Sequence, residues 1–165
     1  MISKETLELL KSDVVFLDID GTLTEYRYNG HVDSGDGTNN GQTVEEINNH
    51  VFLNSRPLES VIKTIEKHCN TEYLFTLGHI RTEGEGLIMG IEEMDKKEWL
   101  SKHCPFVNPA YRLFLHDTQS KAERINRICK RIGTKNAVLI DDKIDILREV
   151  ERMGYKALHI SSLID

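Results

Sequence analysis

Long hydrophobic runs are missing from this chain of 165 residues, and so is any surplus of positive charge. No apolar stretch reaches the roughly 20 residues that a membrane-spanning helix requires. The opening segment, MISKETLELLKSD, is amphipathic, without the continuous apolar core or small-residue cleavage site of a secretory signal. The cytoplasm is therefore the expected compartment. Cysteine is scarce and scattered: Cys69, Cys104 and Cys129 lie far apart. Such a set builds neither a disulfide framework nor a zinc site and predicts reduced, structural thiols. Twenty-one Lys and Arg stand against 27 Asp and Glu, a formal net charge of -6. Chain-wide attraction to nucleic acid or to an anionic membrane is not expected. No internal repeat is evident, and the length fits one domain spanning 1–165.

What is present alternates. Ile2 to Lys11 has helical character, and Asp13 to Ile19 reads as a buried strand because VVFL is β-rich and apolar throughout. From about 24 to 55 the chain is rich in Gly, Asn and Asp (NGHVDSGDGTNNG) and predicts a flap, with a helical turn at Thr43 to Asn49. RPLESVIKTIEKHC regains helical spacing, and TEYLFTLG predicts a strand ended by Gly78. IEEMDKKEWLSKHC is helical, with Ile91, Met94, Trp99 and Leu100 available for the core. YRLFLH, NAVLID and YKALHI predict further strands, separated by helices that Gly133 and Gly154 close. Strand and helix in alternation imply parallel strands joined by right-handed crossovers. The expected fold is a three-layer α/β/α Rossmann-like domain, with the flap inserted after the first strand.

In such a sheet the ligand crevice lies beyond the carboxyl ends of the strands. The first strand ends in Asp18-Ile19-Asp20-Gly21. The second carries Thr76. Lys121 opens the helix after the third, beyond His116, Asp117 and Thr118. The fourth ends in Asp141-Asp142, with Asp145 a turn later. Carboxylates crowded at one rim repel unless a cation sits among them, and oxygen-only ligation suits Mg²⁺. One carboxylate can attack phosphorus while another, two residues on, protonates the leaving oxygen and then activates water. A hydroxyl and an ammonium can hold the remaining phosphoryl oxygens. Gly21 lets the chain turn sharply after the second acid. An EF-hand is not indicated, because its closing Glu is absent and a strand precedes the acids.

FLDIDGTL resembles the nucleophile motif of the haloacid dehalogenase (HAD) superfamily. Thr76, Lys121 and VLIDD with Asp145 resemble its second, third and fourth motifs, in order. The resemblance covers most of the chain apart from the flap. It implies that Asp18 is the nucleophile and a Mg²⁺ ligand. Asp20 is the acid/base, and its backbone carbonyl helps to hold the metal. Asp141 and Asp142 form the closing metal pair, with Asp142 preferred as the direct ligand. Thr76 and Lys121 bind the phosphoryl group, with Gly21 beside them. Asp145 holds the lysine or shapes its loop. An acid at position 20 favours phosphatase or phosphomutase chemistry, and the short inserts imply a minimally capped member. The expected activity is Mg²⁺-dependent hydrolysis of a phosphomonoester of unspecified identity through an aspartyl-phosphate. The alternatives are a narrow nucleotidase or sugar phosphatase and a non-catalytic phosphate- or metal-binding regulatory module. Specificity is expected in the flap, with Tyr26, Arg27, Tyr28 and His31, and in the loop from His79 to Gly90. His79, His103, His116 and His159 are assigned no role, and the sequence does not indicate an oligomeric state.

Overall fold

The computed structural model describes residues 1–25, 27–28, 31–32, 42–81, 86–116 and 118–164, with backbone alone at 27–28, 31–32 and 86–89. Tyr26, Asp117 and most of the Gly-rich flap lie outside the described residues, as do the side chains of Arg27, Tyr28 and His31. Helix α1 (Lys4–Leu10) begins at Ser3, whose hydroxyl accepts the Thr6 N–H. It leads into β1 (Val14–Leu17), in which all four side chains are buried. A two-stranded antiparallel ribbon follows, β2 (Arg27–Tyr28) with β3 (His31–Val32). The remaining elements are α2 (Val44–Asn48), α3 (Glu59–His68), β4 (Leu74–Ile80), α4 (Gly86–His103), β5 (Arg112–His116), α5 (Lys121–Ile132), β6 (Ala137–Asp141), α6 (Ile144–Arg152) and β7 (Lys156–His159).

Five strands form one parallel sheet in the order β5-β4-β1-β6-β7. Helices cover both faces, so the fold is a three-layer α/β Rossmann-like domain. Alternation along β1 divides the core in two. Val15, Leu17 and Ile19 pack with Trp99 and Leu100 of α4 and Val61 and Ile65 of α3. Val14 and Phe16 pack with Ala122, Ile125 and Leu147 from α5 and α6. Each such buried aliphatic or aromatic side chain contributes about 1.5–3 kcal/mol, which explains why a continuous apolar run is stable only at the centre of the sheet. The order in which strands are added reverses at β1: β4 and β5 extend the sheet on one side, β6 and β7 on the other. That point is where a crevice opens at the carboxyl ends of parallel strands.

The helical turn expected at Thr43 to Asn49 is present as α2, started by a capping box between Thr43 and Glu46. Ile47 and Phe52 are buried, with Phe52 edge-on to Trp99 at 5.8 Å. Two features differ from the expectations. Gly78 does not end β4, which runs on to Ile80. A Cβ at Gly78 would come within 2.8 Å of Ile19 Cδ1, so the glycine admits a neighbouring side chain rather than a turn. Met94 points outward, 69% exposed, while Trp99 and Leu100 take the core positions of α4. Among the described residues no helix is long and apolar enough to cross a membrane.

Candidate active site

The ends of β1 and β6 lie side by side, since Leu17 pairs with Ile140. This brings Asp18 next to Asp141 and Asp142 at the switch point. Gly21, with φ of 78°, turns the chain back so that Thr22, Leu23 and Thr24 all donate backbone hydrogen bonds to the Ile19 carbonyl. Carboxylate oxygens of Asp18, Asp141 and Asp142 lie within 4.8 Å of one another. Lys121, the first residue of α5, reaches into the cluster. Its Nζ donates to Asp18 Oδ1 at 2.7 Å and to Asp141 Oδ2 at 2.8 Å. The ammonium and both partners are buried. Thr22 Oγ1 donates to the other Asp18 oxygen at 3.2 Å.

The closing pair is unequal. Asp141 is fully buried, and its Oδ1 accepts the backbone N–H groups of Asp142 at 2.7 Å and Lys143 at 3.0 Å. With Lys121 on Oδ2, both of its oxygens are engaged. Asp142 Oδ1 is buried with no hydrogen-bond partner among the described residues. The backbone carbonyl of Asp142 accepts from His159 Nε2 at 3.0 Å, and His159 Nδ1 in turn accepts from Ser161. His159 thus fixes the loop that carries Asp142. It was passed over in the sequence because nothing along the chain shows that β7 pairs with β6.

Electrostatics follow from crowding without water. Burial, then the charge of Asp141, raise the Asp18 pKa to about 6, against the pull of Lys121. Burial and the neighbouring Asp18 raise Asp142 to about 9. For Asp141, burial pushes upward, but Lys121, the Asp142 side chain and the Lys143 backbone N–H outweigh it, so its carboxyl lies below the usual range. The donor set fits a hard divalent cation: oxygen ligands only, three carboxylates converging, and a buried oxygen on Asp142 without a partner among the described residues.

Asp20 stands apart. Its carboxylate does not join the cluster but turns to the α4 side, where Lys96 Nζ donates to Oδ2 at 2.8 Å. Lys96 also donates to the His79 carbonyl at 3.1 Å and pairs with Glu92 at 3.2 Å. Lys96 and Glu92 are buried, with side chains only 2% and 5% exposed. Burial opposes the Lys96 charge, but Asp20 and Glu92 outweigh it and raise its pKa above the ordinary lysine range. Asp20 Oδ1 has no partner among the described residues. The Glu92–Lys96 spacing of four residues was visible in the sequence, but on most helices such a pair is a solvated surface contact.

Two other predicted residues do not join the group. Thr76 pairs in register with Leu17, one position before Asp18, and β4 continues four residues past it. It follows Leu74 in alternation, on the α3–α4 side, and its buried Oγ1 has no partner among the described residues. The position nearer the rim belongs to His79, which follows Phe75 and Leu77 toward α5. Its Nε2 donates to the Gln119 carbonyl at 2.9 Å, just before Lys121. Burial and the Lys121 charge depress the His79 pKa, so the ring is neutral with its proton on Nε2. Asp145 is exposed on the first turn of α6, and Asp141 is the acid that holds Lys121.

No family model and no curated protein matches the chain. Among solved structures it is similar to one described as DsGPDH of Dunaliella salina, at 15% identity and a TM-score of 0.42. The match covers 95% of this chain and 25% of that one, so the chain spans about a quarter of that protein's length.

Proposed function

We propose that this protein is a phosphatase of the HAD type, which hydrolyses a phosphomonoester through a phosphoryl group carried on Asp18. One observation carries the reading. The two acids of a single strand end are held in opposite environments by two different buried lysines. Asp18 lies among carboxylates that fit a divalent cation, while Asp20 lies outside them with a buried oxygen that has no partner among the described residues. That separation suits two separate roles, nucleophile and proton carrier.

An Asp18 oxygen attacks phosphorus and forms an acyl phosphate, and the bond from phosphorus to the ester oxygen breaks. Asp20 gives a proton to that leaving oxygen. The resulting Asp20 carboxylate then takes a proton from water, which attacks the acyl phosphate and frees Asp18 and inorganic phosphate. Lys121 offsets charge on the phosphoryl oxygens, and Asp141 holds Lys121 in position. Asp18 and Asp142, with the Asp20 backbone carbonyl, would hold Mg²⁺, which when bound neutralises phosphoryl charge. Asp141 serves the lysine instead, because its oxygens are already occupied. Thr76 receives no part here, since its hydroxyl makes no hydrogen bond to the group among the described residues.

The test is turnover of p-nitrophenyl phosphate, and of a panel of nucleoside and sugar phosphates, with Mg²⁺ and with chelator. Asp18→Asn should abolish phosphate release while its thermal melt stays cooperative. Equal rates for Asp18→Asn and wild type would overturn the proposal.

A further inference from the structure

At the opposite end of the sheet from the carboxylates, a groove of about 420 Å³ opens between α5 and the edge strand β5. Among the described residues, α5 and α6 cover this face, with α5 beside the β5 edge. One wall is aromatic. Phe75 and Tyr111 stack at 4.4 Å, and Tyr111 and Tyr73 at 6.4 Å, the latter pair with an interplanar angle of 28°. The other wall is cationic: Arg124, Arg127 and Arg131 project from successive turns of α5. No carboxylate pairs with any of the three among the described residues. In a chain of net charge -6, three arginines lining one groove with no acid among its lining residues stand out.

We propose that this groove binds a nucleoside phosphate. The half-buried rings of Tyr73 and Tyr111 offer a stacking face for a base. Guanidinium groups suit phosphate oxygens because their paired donors match them two at a time. The volume falls within the range of about 300–1,000 Å³ usual for small-molecule sites. A long polyanion would meet the net negative charge of the whole chain, whereas a mononucleotide meets only the local arginines. The groove is separate from the candidate active site. Phe75 and Tyr111 precede the paired residues Thr76 and Arg112, whereas Asp18 lies beyond that level. The inference therefore does not depend on phosphatase activity.

Calorimetric titration of the intact protein in metal-free buffer with chelator separates the possibilities, using AMP, adenosine, inorganic phosphate and a hexaglutamate peptide as probes. AMP should bind more tightly than the other three. Arg127→Ala with Arg131→Ala, both exposed in the native chain, should weaken AMP by about tenfold or more. Tyr111→Ala should weaken AMP and leave the phosphate affinity unchanged. In wild-type protein, methyl resonances of Ile128 and Ile132, which line the groove, should shift on AMP addition. The proposal is overturned if AMP binds no tighter than phosphate or adenosine, if hexaglutamate equals or exceeds it, or if those methyl resonances stay fixed. Failure of AMP to respond to the arginine substitutions overturns it as well.

Discussion

Replacing Lys121 with Met tests the electrostatics of the carboxylate cluster. Lys121 lies 2.7 Å from Asp18 and 2.8 Å from Asp141, with all three side chains less than 10% exposed. Methionine fills a similar volume but removes the charge, leaving two buried acids without their cation. Removing one partner of a buried ion pair costs about 3–5 kcal/mol. For a domain of this size each kcal/mol moves the melting temperature by about 2–4 °C, so a fall of roughly 6–20 °C is expected in metal-free buffer at neutral pH. The loss should shrink toward pH 5, because Asp18 already has its pKa raised to about 6 and takes up a proton more readily once the lysine is gone. Adding Asp141→Asn to the Met variant should recover part of the loss. Urea melts of the wild type, Lys121→Met and the double variant at two pH values supply the comparison. A loss below about 1 kcal/mol, the size of an exposed pair, would refute the reasoning. So would a loss that is the same at both pH values.

Four further outcomes follow from the structure. Because the Asp142 pKa is raised to about 9, metal-free stability should be greatest below about pH 4 for this group and decline as pH rises through 9. Mg²⁺ binding near neutral pH should release close to one proton per ion; calorimetry in buffers of different ionisation enthalpy measures this, and a buffer-independent heat would contradict it. Gly78→Ala should destabilise by about 1–3 kcal/mol because Ile19 fills the space. Ile19→Val should relieve part of that loss, so denaturant melts of the pair should be less than additive. Lys96→Met should cost about 3–5 kcal/mol, with Glu92→Gln restoring part of it; an unchanged melt would show that the Asp20 carboxylate needs no such support.

The layers of the fold and the switch-point acids were legible in the sequence because they rest on short-range signals. VVFL and AVLI are apolar throughout, which only central parallel strands sustain, and the acids follow them directly. What escaped depends on register and on contacts between distant segments. Thr76 looked like a strand end because Gly78 resembles a stop, yet the missing Cβ serves Ile19, 59 positions earlier in the chain. Asp141 and Asp142 are adjacent in sequence but differently placed, because alternation sends the first inward to Lys121 and leaves the second with a buried oxygen that has no partner among the described residues. The buried Lys96–Glu92 pair escaped because helical spacing does not reveal which face meets the sheet. His79 and His159 are invisible for the same reason: each is recruited by a neighbouring strand or loop rather than by a motif.

The central claim is that Asp18 carries the phosphoryl group while sharing a divalent cation with Asp142. A crystal structure of the protein soaked with Mg²⁺ and beryllofluoride tests it most directly. The predicted result is beryllium bonded to an Asp18 oxygen, Mg²⁺ between Asp18 and Asp142, Lys121 against a fluoride, and Asp20 on the leaving-group side. Beryllofluoride bound elsewhere, or Asp18 and Asp142 facing different ions, would contradict it.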